Sequence, residues 1–186
     1  MRRALPVVVG ALLLLSLVSG PVAATPTHEE TAFDVEIQEN GDAVWTVSTT
    51  YVLENESDMR AFETVRSEHD SGANPSPDPT VFETAIETVA AETNRNMEMT
   101  GINRSSTVRA GENVSYGVLR LSFTWTNFAV VTEDQVSVKA AFAGDWFGDL
   151  AVNQTLLIEP PADYRPLRAN PSTDIVNGGL QWEGPQ

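Results

Sequence analysis

The sequence predicts an α+β domain: a mainly antiparallel β-sheet with two amphipathic helices packed on one face. Three observations predict it. Apolar and polar residues alternate on both sides of an Asn-Gly turn early in the chain, the apolar period then lengthens to three or four residues in two successive stretches, and alternation returns afterwards. Strands, two helices and more strands suit helices laid on an antiparallel sheet, whereas a doubly wound parallel sheet would need more helices and longer crossovers.

Phe33, Val35 and Ile37 alternate with Asp34 and Glu36 and predict a half-buried strand. Glu39-Asn40-Gly41-Asp42 supplies a turn, and Trp45, Val47, Thr49, Tyr51 and Leu53 share one face of the returning strand, so the two form a hairpin. Met59, Phe62 and Val65 recur every three residues after Asn55 and Ser57, both good caps, which predicts a short helix over residues 57–67. Residues 67–79, SEHDSGANPSPDP, read as a polar loop. Asp78-Pro79 opens a second helix with the apolar stripe Phe82, Ala85, Ile86, Val89 and Ala90, ending near Asn94-Arg95.

Met97 and Met99 alternate briefly, and from Gly101 to Asn113 the chain is too polar to signal an element. Leu119, Leu121, Phe123 and Trp125 form the apolar face of a long strand with one wet side. Shorter strands are expected over residues 136–142 and 156–158, the second stopped by Pro160-Pro161. Leu180 and Trp182, after a Gly-Gly turn, give the last.

Residues 1–24 have a different character. Arg2-Arg3 precede an apolar run from Ala4 to Val18, Ser19-Gly20-Pro21 breaks it, and Val22-Ala23-Ala24 supplies a small-x-small site. That order is the plan of a secretory signal peptide cleaved after Ala24. The alternative is an uncleaved anchor, which needs about 20 strongly apolar residues, and the Ser-Gly-Pro break dilutes this run. Cleavage leaves residues 25–186 as one extracytoplasmic domain, long enough for a real core. Membrane proximity is expected through the uncleaved N-terminal segment or through a missing segment beyond Gln186.

There is no cysteine, so the exported domain rests on burial without disulfides. All 26 acidic residues follow Ala24, against nine basic residues there, only one of them lysine, for a net charge of −17. A charge of that size opposes folding in dilute buffer, but at molar salt the Debye length is about 3 Å and the repulsion is screened. The balance predicts a protein built for very salty surroundings, most naturally a haloarchaeon, with an ordinary acidic secreted protein as the alternative. It also argues against direct nucleic-acid binding, because a phosphate backbone calls for a basic patch.

Four sequons mark glycosylation candidates in an exported chain: Asn55, Asn103, Asn113 and Asn153, all in or beside expected loops or element ends. Asn170 is excluded by Pro171. No catalytic residue is assigned. There is no G-x-S-x-G, His28 lies close to the expected mature terminus, and His69 falls in the polar loop, where Ser67, Asp70 and Ser71 are too near in sequence to build a triad. No metal site and no cofactor are assigned either, since HEETA lacks the second histidine of H-E-x-x-H. Glu68, Asp70, Asn74 and Asp78 have the oxygen chemistry for calcium but match no EF-hand spacing. Solvated surface is the reading for all of these.

The aromatic residues stand out. FTWTNFAVV and GDWFGDL place Phe123, Trp125, Phe128, Trp146 and Phe147 close together in the chain. Trp125 continues the apolar face of its strand and belongs to the core. Trp146 and Phe147 are presented on a turn, so they are either a plug on that core or the first place to look for a partner contact.

The stretches FDVEIQENGDAVWTVSTTYVLENESDMRAFE, TNRNM, GVLRLSFTWTNFA, GDWFGDL, LLIEPPADY and LQWEGP, in order over most of residues 33–185, resemble a haloarchaeal family of exported, membrane-associated proteins of unknown function. The resemblance implies a domain outside the membrane, ahead of a transmembrane helix and, in many members, a cytoplasmic winged helix. These 186 residues contain no helix-turn-helix pattern, so DNA binding is not carried over. The expectation is a non-enzymatic extracytoplasmic sensor or interaction domain whose partner is an unknown ligand or envelope protein. A secreted or cell-surface glycosylated structural protein is the alternative.

Overall fold

Alternating burial shows how the sheet was written into the chain. Ala43, Trp45 and Val47 are buried while Val44, Thr46 and Ser48 are half-buried, and Leu119, Leu121, Phe123 and Trp125 repeat the pattern. A computed structural model describes residues 26–73, 76–142, 146–166 and 168–185; the expected signal peptide, residues 1–24, lies outside the described residues. In chain order the elements are β1 (Thr27–Ile37), β2 (Ala43–Leu53), α1 (Glu56–Ser71), α2 (Pro79–Thr93), β3 (Met99–Ala110) and β4 (Ser115–Trp125). After them come β5 (Val130–Val131), β6 (Val136–Ser137), β7 (Gln154–Glu159), β8 (Asp174–Val176) and β9 (Gly179–Glu183).

The main sheet has seven strands in the order β3-β4-β2-β1-β7-β9-β8, and β5 and β6 form a separate ribbon. Every neighbouring pair is antiparallel except β1 and β7. One edge of β1 is taken by the hairpin partner β2, so β7, arriving after a long excursion from β4, adds to the other edge in the parallel sense. The α+β architecture, dominated by an antiparallel sheet, is therefore the one expected.

Both helices cover the same face. In one cross-sheet row Val35 faces Trp45 and Trp45 faces Phe123, and α2 lays Phe82, Ala85, Ile86 and Val89 on this side. Trp45 sits at the centre of the core, its ring centroid within about 6 Å of those of Phe82, Trp125, Phe128, Phe142, Trp146 and Phe147. A smaller cluster under α1 joins Phe62 to Leu53 and Leu119. On the opposite face the corresponding row runs Asn103, Ser122, Thr46, Asp34.

The caps explain the helix ends. Asn55 Oδ1 accepts the backbone N–H groups of Ser57 and Asp58, and Asp78 accepts that of Thr80 with Pro79 in the first turn. Gly72, at φ 72°, closes α1 with N–H bonds from Gly72 to His69 O and from Ala73 to Glu68 O. Helix α1 thus runs four residues beyond the expected Ser67, because His69, seven residues after Phe62, continues its buried face.

Three further expectations are corrected. The polar stretch after Gly101 is strand β3; it lies at the sheet edge, mostly exposed, with only polar Arg104 and Ser106 half-buried along it, so its ladder with β4 leaves no apolar alternation to read. The strand expected over residues 136–142 shrinks to β6, after which turns carry Ala141 and Phe142 into the core. Strand β8, unsignalled in the sequence, pairs with β9 and forms the far edge.

Candidate functional site

A bulge builds the site. Strands β1 and β2 pair residue for residue from Glu30 onward, but the register shifts between His28 and Glu30 and leaves Glu29 as an extra residue. A bulge re-aims the side chains before it. His28, three residues ahead of Thr31, therefore ends on the same side as Thr31 and Phe33. The facing pairs His28 with Tyr51, Thr31 with Thr49 and Phe33 with Val47 then form one row. Ser76, Pro77 and Asp78, with Val81 and Phe82 of α2, line the other wall of an open cleft of about 340 Å³.

The cleft grades from apolar to polar. Val47 and Phe82 are buried at its base, Phe33 and Tyr51 are half-buried, and His28 is exposed at its outer end. His28 Nε2 lies 2.9 Å from Thr31 Oγ1, and the imidazole meets the Tyr51 ring edge-on with centroids 6.0 Å apart. Across the opening stands the Asp78 carboxylate, whose Oδ1 accepts the Thr80 N–H at 3.0 Å. Its volume is at the small end of ligand pockets, roughly 300–1,000 Å³, and a few polar groups converge on an apolar floor. Such a site suits a small amphipathic molecule with a donor for Asp78. The hydroxyl–imidazole contact is part of what a nucleophile needs, but among the described residues no carboxylate bonds to the imidazole to orient it.

The histidines are corrected from the sequence reading. His28 belongs to β1 and not to a loose terminus, and His69 is fully buried in the last turn of α1, its Nε2 3.1 Å from the Arg120 carbonyl oxygen. Of the oxygen ligands weighed for a cation, Asp70 accepts the Ser106 hydroxyl at 2.8 Å, Asp78 caps α2, and Asn74 lies outside the described residues. No three side chains of the metal-binding kinds gather among the described residues.

Trp146 and Phe147 are half-buried against the main core. Trp146 stacks on Phe142 at 5.9 Å and donates its indole N–H to Ala141 O at 2.9 Å. Phe147 meets Phe33 edge-on at 5.3 Å, so the ring that plugs the core also backs the cleft residue Phe33.

All four sequon asparagines are exposed. Asn55 caps α1, Asn113 lies in the turn between β3 and β4, and Asn153, at φ 59°, lies in the turn before β7. Asn103 departs from the expected loop position and sits within β3, just after a register irregularity. Thr31 was not singled out from the sequence, because the bulge at Glu29 breaks the alternation that would have extended β1 back to it; Tyr51 was named only as a strand residue, Asp78 as a helix start and weighed cation ligand, and Val81 not at all.

A family model, Domain of unknown function (DUF7345), matches residues 34–164. The chain belongs to the DUF7345 family. The DUF7345 match takes in both helices, the rings around Trp45 and the β2 and α2 residues of the cleft, while His28, Thr31, Phe33, β8 and β9 lie outside the matched residues. No curated protein matches the chain. Among the described residues no helix is long and apolar enough to cross a membrane.

Proposed function

We propose that this DUF7345 domain is a non-enzymatic extracytoplasmic sensor or interaction domain of a haloarchaeal membrane-associated regulator. The membrane span and DNA-binding part would lie in further sequence, and the cleft between β1, β2 and the start of α2 would take a small amphipathic ligand. The observation that carries the reading is that open cleft: three facing pairs from His28–Tyr51 to Phe33–Val47 on one side, Val81 and Phe82 on the other, and Asp78 at the rim. The basic-apolar-small order of residues 1–24 supports export, and the net charge of −17 beyond them supports a salty medium.

Thermal melts in molar salt against a panel of small amphipathic cations and polar metabolites test the cleft. A compound that raises the melting temperature of the native chain, and not of Val81→Glu or Thr49→Val, is expected. Turnover in a hydrolase screen that disappears in the same variants would replace sensing with catalysis. Export is tested by cell fractionation, where full-length precursor held in the cytoplasm at steady state would contradict it. Loss of near-UV ellipticity on dialysis from molar to tenth-molar salt is expected of a salt-adapted domain, and an unchanged signal would remove that part of the reading.

One observation favours a second reading, a glycosylated cell-surface structural or binding protein: all four sequon asparagines are solvent-exposed. Mass spectrometry of the chain from its native envelope separates the two, since glycans at several of these positions on a protein with no cleft ligand would support the second.

A further inference from the structure

The longest strand of the sheet is also one of its edges. β3 runs over 12 residues and, among the described residues, pairs on one side only, whereas the opposite edge, β8, has three. From Asn103 to Ala110 its register with β4 is regular, so its outer row of N–H and C=O groups is a template for another strand. No proline interrupts it, and Ile102 and Val108 are exposed apolar residues along it, 41% and 39% accessible.

The strand itself is basic in an acidic domain, with the Asp70 carboxylate of α1 reaching it at Ser106. β3 contains no acidic residue, although the chain has 26, and it carries Arg104 and Arg109, with Arg120 on the neighbouring β4. Arg109 lies over the Tyr116 ring at 5.5 Å, which holds the guanidinium at the edge. Arg104 Nε is buried and has no partner among the described residues. Nε is closed off from an incoming strand, so a partner would meet the half-buried Arg104 at the outer nitrogens of its guanidinium, and a carboxylate is the acceptor that planar fork fits best.

We propose that β3 is a docking strand that binds, by strand addition, an extended acidic segment of another protein, with carboxylates placed to meet Arg104 and Arg109. The two arginines are five residues apart and so point to opposite faces. The segment therefore carries acidic residues about five positions apart, with β-branched or apolar residues between them to pack on Val108. A second copy of this chain fits poorly, because pairing β3 with itself brings like charges together.

The test uses a capped ten-residue peptide of alternating valine and threonine with two glutamates five residues apart, and the same peptide with glutamines. It is run on the full chain in the lowest salt that keeps its native near-UV signal. Adding the glutamate peptide should slow amide exchange across residues 103–110. Affinity should fall on the order of tenfold for the glutamine peptide, for Arg109→Gln and in molar salt. Arg109 is exposed, so Arg109→Gln keeps the fold, and Arg109→Lys should retain part of the binding. Unchanged exchange in β3 at saturating peptide, protection elsewhere, or equal affinity for both peptides would overturn the proposal. So would a dimer, already protected in β3, in the absence of peptide.

Discussion

Gly117 in β4 lies directly against the Phe62 ring of α1: a Cβ placed on Gly117 would come within 2.5 Å of Phe62 Cε2 and Cζ. The ring itself is buried, 1% exposed, between Leu53 and Leu119. This glycine is required for space and not for backbone conformation. Gly117→Ala is expected to cost about 1–3 kcal/mol by overpacking, and Phe62→Leu a similar amount through a cavity. Because each change relieves the other, the double variant should be less destabilised than the sum by at least about 0.5 kcal/mol, measured by denaturant melts. Strict additivity would mean that α1 shifts away from β4 without strain.

His69 fixes the other end of the same helix. With Nε2 donating to the Arg120 carbonyl at 3.1 Å, Nδ1 is left as a buried acceptor with no partner among the described residues. His69→Ala removes both the ring and the bond and should cost about 2–4 kcal/mol. His69→Gln retains a donor of similar reach and should cost about half as much or less. If the two variants melt together, the bond to β4 contributes nothing and packing alone is at stake.

Much of the fold was legible because apolar periodicity records burial, and burial here is one-sided. The β1–β2 hairpin, the long strand β4 and α2 with its Asp78-Pro79 opening all bury one face against the Trp45 cluster, so their patterns switch cleanly between two and about 3.6 residues. β3 left no such record because it is an edge strand of mostly exposed residues, held by its ladder with β4 and by the Ser106 bond to Asp70 of α1. The last turn of α1 was obscured because His69 counts as polar by composition but is buried in place; Gly72, at a left-handed φ, was the signal for the true end. The cleft was hidden for a third reason. It joins residues from β1, β2 and the start of α2 across a bulge, and a bulge is a register fact that a single strand's sequence does not carry.

Asn55 combines a sequon with a structural task. Its Oδ1 caps α1 at 2.8 Å and 3.1 Å from the Ser57 and Asp58 nitrogens, and its Nδ2 donates to Asp58 Oδ2 at 2.9 Å. A glycan on Nδ2 would take one of its two N–H groups and crowd the last of these bonds. Asn55→Ala should cost about 1 kcal/mol and Asn55→Ser only a few tenths, since serine also caps well. Both variants abolish the sequon, so a loss of stability shared equally by the two, in protein from its native source, would point to a glycan in place of the cap.

Asp34, on the face away from the helices, is where pH dependence should appear. Burial raises its carboxyl above the ordinary value of 3.8; Glu36 raises it further, Arg120 opposes, and Glu30 adds a smaller push upward. Between 3.8 and the raised folded-state value, the folded chain holds more protons on this group than the unfolded chain does. Its contribution to stability therefore falls as pH rises through that window, and the full penalty is present at neutral pH. Asp34→Asn should accordingly stabilise the protein at neutral pH, by a few tenths to about 1 kcal/mol, with the gain vanishing once the pH drops below 3.8. Removing the opposing charge with Arg120→Gln should enlarge the gain from Asp34→Asn. Denaturant melts of the four variants of this cycle across that range read out both effects. A neutral-pH loss of stability in Asp34→Asn would show that its carboxylate is held by favourable contacts stronger than the burial and the two neighbouring glutamates.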